Sequence, residues 1–534
     1  MIKEKILFDA IKTLLIKANT VLDKSVFDCI KRNTCHYEER GDEVIQKNLG
    51  MRDQVSMDCV AIALNDTDSL DCRDDFQSPR NDERCHYVER TCAEVQESMT
   101  EPLLARLTAK TKPQSGEAVH NKIEFILQNA YLAKNASRPL CQDTGQVLVF
   151  LKLPYSFNFG YDFKAVINRA VEETYEQEFY RKSTVKNAVF DRTNTKNNTP
   201  AIIYTDFEDR KSVKIDVLVK GGGAENMSFV EMFNPTASHD EIIKTLSQKI
   251  NERAKNACPP LFIGIGAGGT MDYAALLSKK ALFEGIEDEF CEKLKECCNY
   301  TSCERCHCDL QALTVLSVKM LSTSTHIASL PVAVTINCHS NRHAGCEFDE
   351  NGVIYDFTDY EIEPQKIRLE NYKKVNTANI EEIKDLKSGE KILLSGTIYT
   401  MRDAAHKKYF ELMEKGEVLP FEIKNSVIFY AGPAPKKDDE IIGPIGPTTA
   451  KRMDKYAPFL YDLGCLATIG KGERSQKVKD SCQKNKAHYL SAIGGIACYL
   501  QKSFKKEEVI AFKELGTEAV RKFEIEDLPL LVEI

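Results

Sequence analysis

The sequence predicts an α/β protein of two domains, and three observations carry that prediction. The chain runs to 534 residues, more than a single hydrophobic core organises. Apolar runs of strand length, such as "VLVFLKL" and "VKIDVLV", alternate with helix-period segments such as "EAVHNKIEFILQNAYLAKN" and "MDYAALLSKKALF". A polar stretch, residues 346–376, interrupts the pattern before a second alternation of strand, turn and helix begins at 377. The expected domains are residues 1–345 and 377–534, joined by a linker at 346–376.

Taken in order, the first element is an amphipathic helix, "MIKEKILFDAIKTLLIKANTVL", with Ile6, Leu7, Ile11, Leu14 and Leu15 on one side. It lacks the continuous apolar region of a secretion signal, and Glu4, Asp9 and the absence of Arg speak against a mitochondrial presequence. A cytoplasmic location is expected. Residues 33–112 are charged and irregular, with an echo between "CHYEERGDEVIQ" and "CHYVERTCAEVQ". Two copies fall short of a repeat array, so the segment reads as an insertion. The α/β pattern then runs to 345 through two glycine-rich turns, "KGGGAENMS" and "GIGAGGT". The second domain is carried by "GEKILLSGTIYTMRDAAHKKYFELM", "SVIFYAGP", "IGPIGPTTAKRMD" and "LATIGKG".

Composition narrows the function. The chain is 43% hydrophobic and 28% charged, with a formal net charge of −8, which excludes a general nucleic-acid binder. No window approaches the roughly 18 unbroken apolar residues of a membrane helix. The 19 cysteines are an odd number in a long chain without a secretion signal, a pattern of reduced thiols and metal ligands rather than a disulfide framework.

Four groups of residues draw attention. "GIGAGGT" contains G-x-G-x-x-G at Gly264, Gly266 and Gly269, between a strand and a helix. The charged helix that follows, "EGIEDEFCEKLKECC", stands where a dinucleotide fold would place its second strand. Three cysteines stand apart from one another: Cys141 in "LCQDTGQV", Cys258 before two prolines, and Cys338 in "INCHSNRHA". Each alone reads as a buried thiol or as one leg of a site that the fold assembles. By spacing, "CCNYTSCERCHC" (Cys297, Cys298, Cys303, Cys306, His307, Cys308) is the denser metal signal. In the second domain Arg402, Arg452 and Lys471 each lie in or just after a glycine-flanked segment, which suits either a solvated surface or a dicarboxylate pocket.

Together these segments resemble the class I, iron–sulfur fumarate hydratases and the related L-tartrate dehydratases. The matching stretches are "RPLCQDTGQV", "NTPAIIY", "KGGGAENMS", "CPPLFIGIGAGGTMDYAALLSKKAL", "HIASLPVAV" with "CHSNRHA", "LSGTIYTMRDAAHKK", "IFYAGPAP", "GPTTAKRMD" and "IGKGERS". They follow the family order over about 113–345 and 378–534. The resemblance implies an N-terminal α/β domain carrying a [4Fe–4S] cluster on Cys141, Cys258 and Cys338. It also implies a smaller swivelling β/β/α C-terminal domain, both halves fused in one chain, and a homodimer. Three thiolates for four irons leave one iron open as a Lewis acid, which implies oxygen sensitivity. Asp143 and Thr448 are implied as the acid–base pair of fumarate hydration to (S)-malate, a reaction of the tricarboxylic acid cycle. Gln142, Arg181, Gly222, Gly223, His326, Arg402, Arg452 and Lys471 are implied to bind the substrate. Cations suit a dianion meeting a negatively charged cluster. The chain departs from the family where "YTSCERCHC" replaces a glycine-rich loop, and over the 33–112 insertion. L-Tartrate or mesaconate as substrate, a metal-binding regulatory protein using "CERCHC", and a nicotinamide enzyme are the alternatives.

Overall fold

A computed structural model describes residues 3–24, 26–30, 115–305, 314–349, 352–357 and 360–534. The sequence echo, the insertion expected at 33–112, and Cys306, His307 and Cys308 lie outside the described residues. No described helix is long and apolar enough to cross a membrane.

Helix α1 (Glu4–Thr20) buries Leu7, Ala10, Ile11, Leu14, Leu15 and Ala18, the stripe that its period predicts. Ile6 falls outside that stripe and is exposed. Helix α2 (Ser115–Ala136) leads by a loop into strand β1 (Gln146–Pro154), followed by helix α3 (Phe163–Gln177). Strands β2 (Ile202–Glu208) and β3 (Val213–Lys220) flank β1, parallel and antiparallel respectively. β1 is apolar on both faces because it divides two cores. Val147, Val149, Leu151 and Leu153 pack with residues of α1 and α3, while Leu148 and Phe150 face the larger core.

A second sheet has the order β4-β7-β5-β6: β4 (Phe229–Phe233), β5 (Leu261–Gly269), β6 (Val315–Thr325) and β7 (Leu330–Asn337). Helix α4 (His239–Ala254) buries Ile242, Ile243, Leu246 and Ile250 in the core shared with Leu261, Ile263 and Ile265. Helix α5 (Met271–Glu284) packs against the glycines of β5. "GIGAGGT" is therefore no turn. Gly264 and Gly266 lie inside β5, where an added Cβ would stand 2.1 Å from Ser278 O and 2.0 Å from Ala274 O. Their smallness brings helix onto strand, and this removes the dinucleotide reading. Gly266→Ala is expected to lower stability by about 1–3 kcal/mol through overpacking; an unchanged urea midpoint would contradict this. The charged segment that follows forms helix α6 (Glu289–Arg305).

The stretch expected as a linker carries strand structure. β8 (His343–Asp349) pairs with β3, and β9 (Gly352–Tyr355) completes the first sheet, β2-β1-β3-β8-β9. The alternating burial of "GVIY" is the signal that its polar surroundings concealed.

The C-terminal half holds β10 (Lys373–Asn376), β11 (Lys391–Thr400), β12 (Val427–Phe429), β13 (Ala467–Gly470), β14 (His488–Ser491), β15 (Phe504–Ala511) and β16 (Val520–Val532). β10 to β14 run parallel in sequence order, with α7 (Asp403–Glu414), α8 (Ala457–Asp462) and α9 (Gln476–Asn485) among the connections. The 13-residue β16 pairs antiparallel with β15, with β11 and, at its end, with β14, so the sheet closes on itself. Buried Arg138 ties this half to the other through Glu440 (3.0 Å) and the Pro435 carbonyl (2.6 Å).

Candidate active site

Cys141, Gln142 and Asp143 lie in the loop between α2 and β1, which is anchored from several sides. The Leu140 amide donates to Asn19 O at the end of α1 (2.8 Å), and Asn129 Nδ2 donates to Leu140 O (3.0 Å). Tyr175 of α3 donates its hydroxyl to Thr144 O. Cys258 precedes β5 and Cys338 follows β7. Because these strands pair antiparallel, with Phe262 opposite Asn337, both cysteines come to the same end of the sheet.

All three thiols are free. Burial, foremost, pushes Cys141 up to about 11; Cys338, Asp143 and Cys258 add to the rise, and Arg342 opposes it. Lys471 Nζ donates to Cys258 Sγ at 2.6 Å. Burial pulls Lys471 down, yet Cys258, Cys141 and Cys338 together hold its pKa above the ordinary value. The three thiols therefore share one electrostatic field with a lysine inside it. Gly494 leaves the space: a Cβ there would stand 2.3 Å from Cys258 Sγ. Among the described residues no three His, Cys, Asp or Glu side chains converge on a point suited to a single metal ion.

Asp143 faces the same space. Arg181 Nη2 lies 3.1 Å from Oδ1, the Gly222 amide donates to Oδ2 (3.0 Å), and the Gly145 amide to Oδ1 (3.2 Å). Burial raises its pKa, but Arg181, Arg342, the Gly145 amide and Arg402 outweigh that and hold it at about 2. Gly223 brings its backbone against Lys471, whose Nζ would be 3.3 Å from a Cβ there.

The C-terminal half closes the site. Arg181 Nη1 donates to Gly432 O (3.1 Å), Gln142 Nε2 to Pro447 O (3.5 Å), and Thr449 Oγ1 to Asn256 O (3.2 Å). Thr448 is buried beside these contacts, its amide donating to Tyr430 O (2.7 Å). Arg402 stands 3.3 Å from Glu518, and Arg452 grips Asp403 with two nitrogens. Burial, foremost, pushes Arg402 down to about 10; Arg181 and Arg452 push the same way and Glu518 opposes. Three guanidinium groups thus crowd one another, an arrangement that a dianion relieves.

His326 is not brought to this place. It is exposed on the loop before β7, where Thr325 Oγ1 donates to Gly269 O (3.0 Å) at the far end of β5. The nine residues of β5 make eight steps of about 3.3 Å, so that end lies roughly 26 Å from the end of β5 that Cys258 precedes.

Two residues escaped the sequence reading. Buried Arg342 donates from Nη1 to the Asp143 carbonyl (2.5 Å) and to Asn19 Oδ1 (3.3 Å), so it braces the loop that holds Cys141. Lys220 ends β3; burial pulls it down to about 8 while Glu225 and Cys338 oppose, and it donates to Ile336 O. Both lie inside quoted motifs, Arg342 in "INCHSNRHA" and Lys220 in "KGGGAENMS", and a cation within a motif that carries a candidate site residue was the available signal.

Behind Arg402, fully buried His406 donates Nδ1–H to Arg402 O (2.8 Å) and stacks on Tyr456. Burial, foremost, lowers its pKa from 6.5 to about 4, with Arg474 and Lys455 helping and Arg402 O and Asp403 opposing. The folded state resists protonation that the unfolded chain accepts. Its contribution is full above pH 6.5 and is lost as pH falls towards 4, about 3 kcal/mol in all. His406→Gln is expected to flatten the fall in stability between pH 7 and pH 5; identical denaturation profiles for variant and parent would contradict this.

Comparison with known proteins adds independent findings. Residues 86–347 match the family model described as "Fumarate hydratase (Fumerase)", and residues 349–534 match "Fumarase C-terminus". The aerobic class I fumarate hydratase of Salmonella typhimurium is 29% identical over 452 residues, 79% of this chain and 77% of that protein. The anaerobic class I fumarate hydratase of Escherichia coli is 29% identical, covering 76% of this chain and 80% of that protein. A protein of Methanocaldococcus jannaschii named "Putative L(+)-tartrate dehydratase subunit alpha" is 31% identical over 44% of this chain and 86% of its own length.

Proposed function

The chain belongs to the family of class I fumarate hydratases, and from that premise we propose that it interconverts fumarate and (S)-malate by reversible addition of water. The observation that carries the reading is Asp143, clamped by Arg181 and the Gly222 amide beside three thiols and the clustered guanidinium groups of Arg402 and Arg452.

Cys141, Cys258 and Cys338 fit a [4Fe–4S] cluster. They are three thiols that share one electrostatic field, Lys471 answers their charge, and thiolates are the ligands such a cluster takes. When bound, such a cluster supplies Lewis acidity through the iron that three thiolates leave without a protein ligand. The chain's own residues do the rest. Arg181, Arg402 and Arg452 hold the two carboxylates, Arg402 and Arg452 exchanging Glu518 and Asp403 for substrate. Lys471 lies at the cluster edge, with the Gly222 and Gly223 backbone opposite. Gln142, pinned by Pro447, keeps Cys141 in place. Asp143 and Thr448 divide the two proton transfers of hydration, one at water and one at carbon. His326 serves the substrate only from a second copy, which the proposed homodimer allows.

The relative from Methanocaldococcus jannaschii favours L-tartrate as a second reading. Turnover of fumarate, malate, mesaconate and L-tartrate by the iron-loaded protein separates them. Fumarate and malate are expected to give the highest kcat/KM; a preference for tartrate or mesaconate would overturn the primary reading.

A further inference from the structure

A cavity of about 230 Å³ has Cys258 and Lys471 in its wall. Asp143, Arg181, Arg402, Thr448, Cys141 and Cys338 are absent from its lining, so it is not the substrate site. Six cations line it: Lys122, Lys255, Lys391, Lys471, Arg474 and Lys479, against the carboxylates of Glu473 and Glu533. Some of this charge is answered. Glu473 pairs with Lys255, Arg474 meets Asp454 at 2.8 Å and Lys471 meets Cys258 Sγ at 2.6 Å, while Glu533, held by the neutral Ser491 hydroxyl at 2.7 Å, keeps its charge in the wall. Among the described residues Lys391 and Lys479 have no ion pair. Tyr372, Tyr489, Ile493 and Leu531 give apolar wall.

We propose that this cavity is a second binding site, for a small polyanion of the di- or tricarboxylate or phosphate class. Concave sites that combine an apolar wall with a few convergent polar groups are where small ligands bind, and this volume lies below that of a drug-sized pocket. Lys391 and Lys479 supply the charge selection. The wall also bears on the neighbouring chemistry. Lys471 and Gly472 belong to both places, and Gly472 (φ +83°) is pressed on Asn256, 2.3 Å from its Oδ1 to a Cβ position. An anion in the cavity competes with Cys258 for the Lys471 ammonium and lowers turnover; that consequence rests on the function proposed above, while the binding does not.

Calorimetric titration of citrate, and separately of inorganic phosphate, into the full iron-loaded chain tests the binding without reference to activity. Binding is expected to persist under saturating malate and to weaken at least tenfold in Lys391→Ala/Lys479→Ala, a variant with unchanged malate KM. Citrate alone behaving this way assigns a carboxylate ligand; both probes doing so assigns recognition by charge. No heat from either probe, an isotherm untouched by the double substitution, or heat abolished by malate each overturns the proposal.

Discussion

Asp143→Asn is expected to lower kcat by about 10²–10⁴, the span that a positioned acid–base group contributes, with iron content unchanged. The substitution keeps the shape of the side chain and an oxygen for the Gly222 or Gly145 amide, but it removes the charge that Arg181 meets at 3.1 Å and the capacity to exchange a proton. Cys141 lies two residues away and retains its own anchors, through the Leu140 amide and Gln142. A structural lesion would instead strip iron and activity together. Measuring both in the same sample decides the matter: a kcat within about threefold of the parent, well under that general acid–base span, would remove Asp143 from the chemistry.

Arg402→Met is expected to cut kcat/KM by about ten- to a hundredfold, the worth of one charged hydrogen bond of roughly 1.5–3 kcal/mol. The loss should fall mainly on KM, because a cation that holds a carboxylate does so in ground state and transition state alike. Arg402→Lys should recover only part, since the planar fork that matches a carboxylate is gone. A kcat loss with KM unchanged would make Arg402 a participant in the proton steps and contradict its assignment as a carboxylate holder.

The fold was legible where period and glycine spoke clearly. The stripe of α1, strands β1 and β3, and helix α5 stand where alternation and the 3.6-residue period put them. "GIGAGGT" misled, because a glycine that lets a helix touch a strand is written with the same letter as one that opens a turn. "GVIY" was hidden by polar neighbours, since a four-residue edge strand buries little. At the site, long motifs marked Cys141, Cys258 and Cys338, but only the antiparallel pairing of β5 with β7 shows how the last two meet. The same pairing sends His326 to the opposite end of the sheet, a separation that its nearness to Cys338 in sequence could not reveal. Arg342 was passed over because its role is to brace a backbone 199 residues away, a relation no local pattern records.

The central claim is that this chain hydrates fumarate through a cluster held by Cys141, Cys258 and Cys338. Anaerobic supply of iron and sulfide to the parent chain and to Cys258→Ser, with iron counted and the ultraviolet absorbance of fumarate followed as malate is added, tests it most directly. About four irons per chain, with fumarate formed only by the iron-loaded parent and both properties lost in the variant, is the predicted result. Fumarate formed without iron, or full iron content in Cys258→Ser, would contradict it.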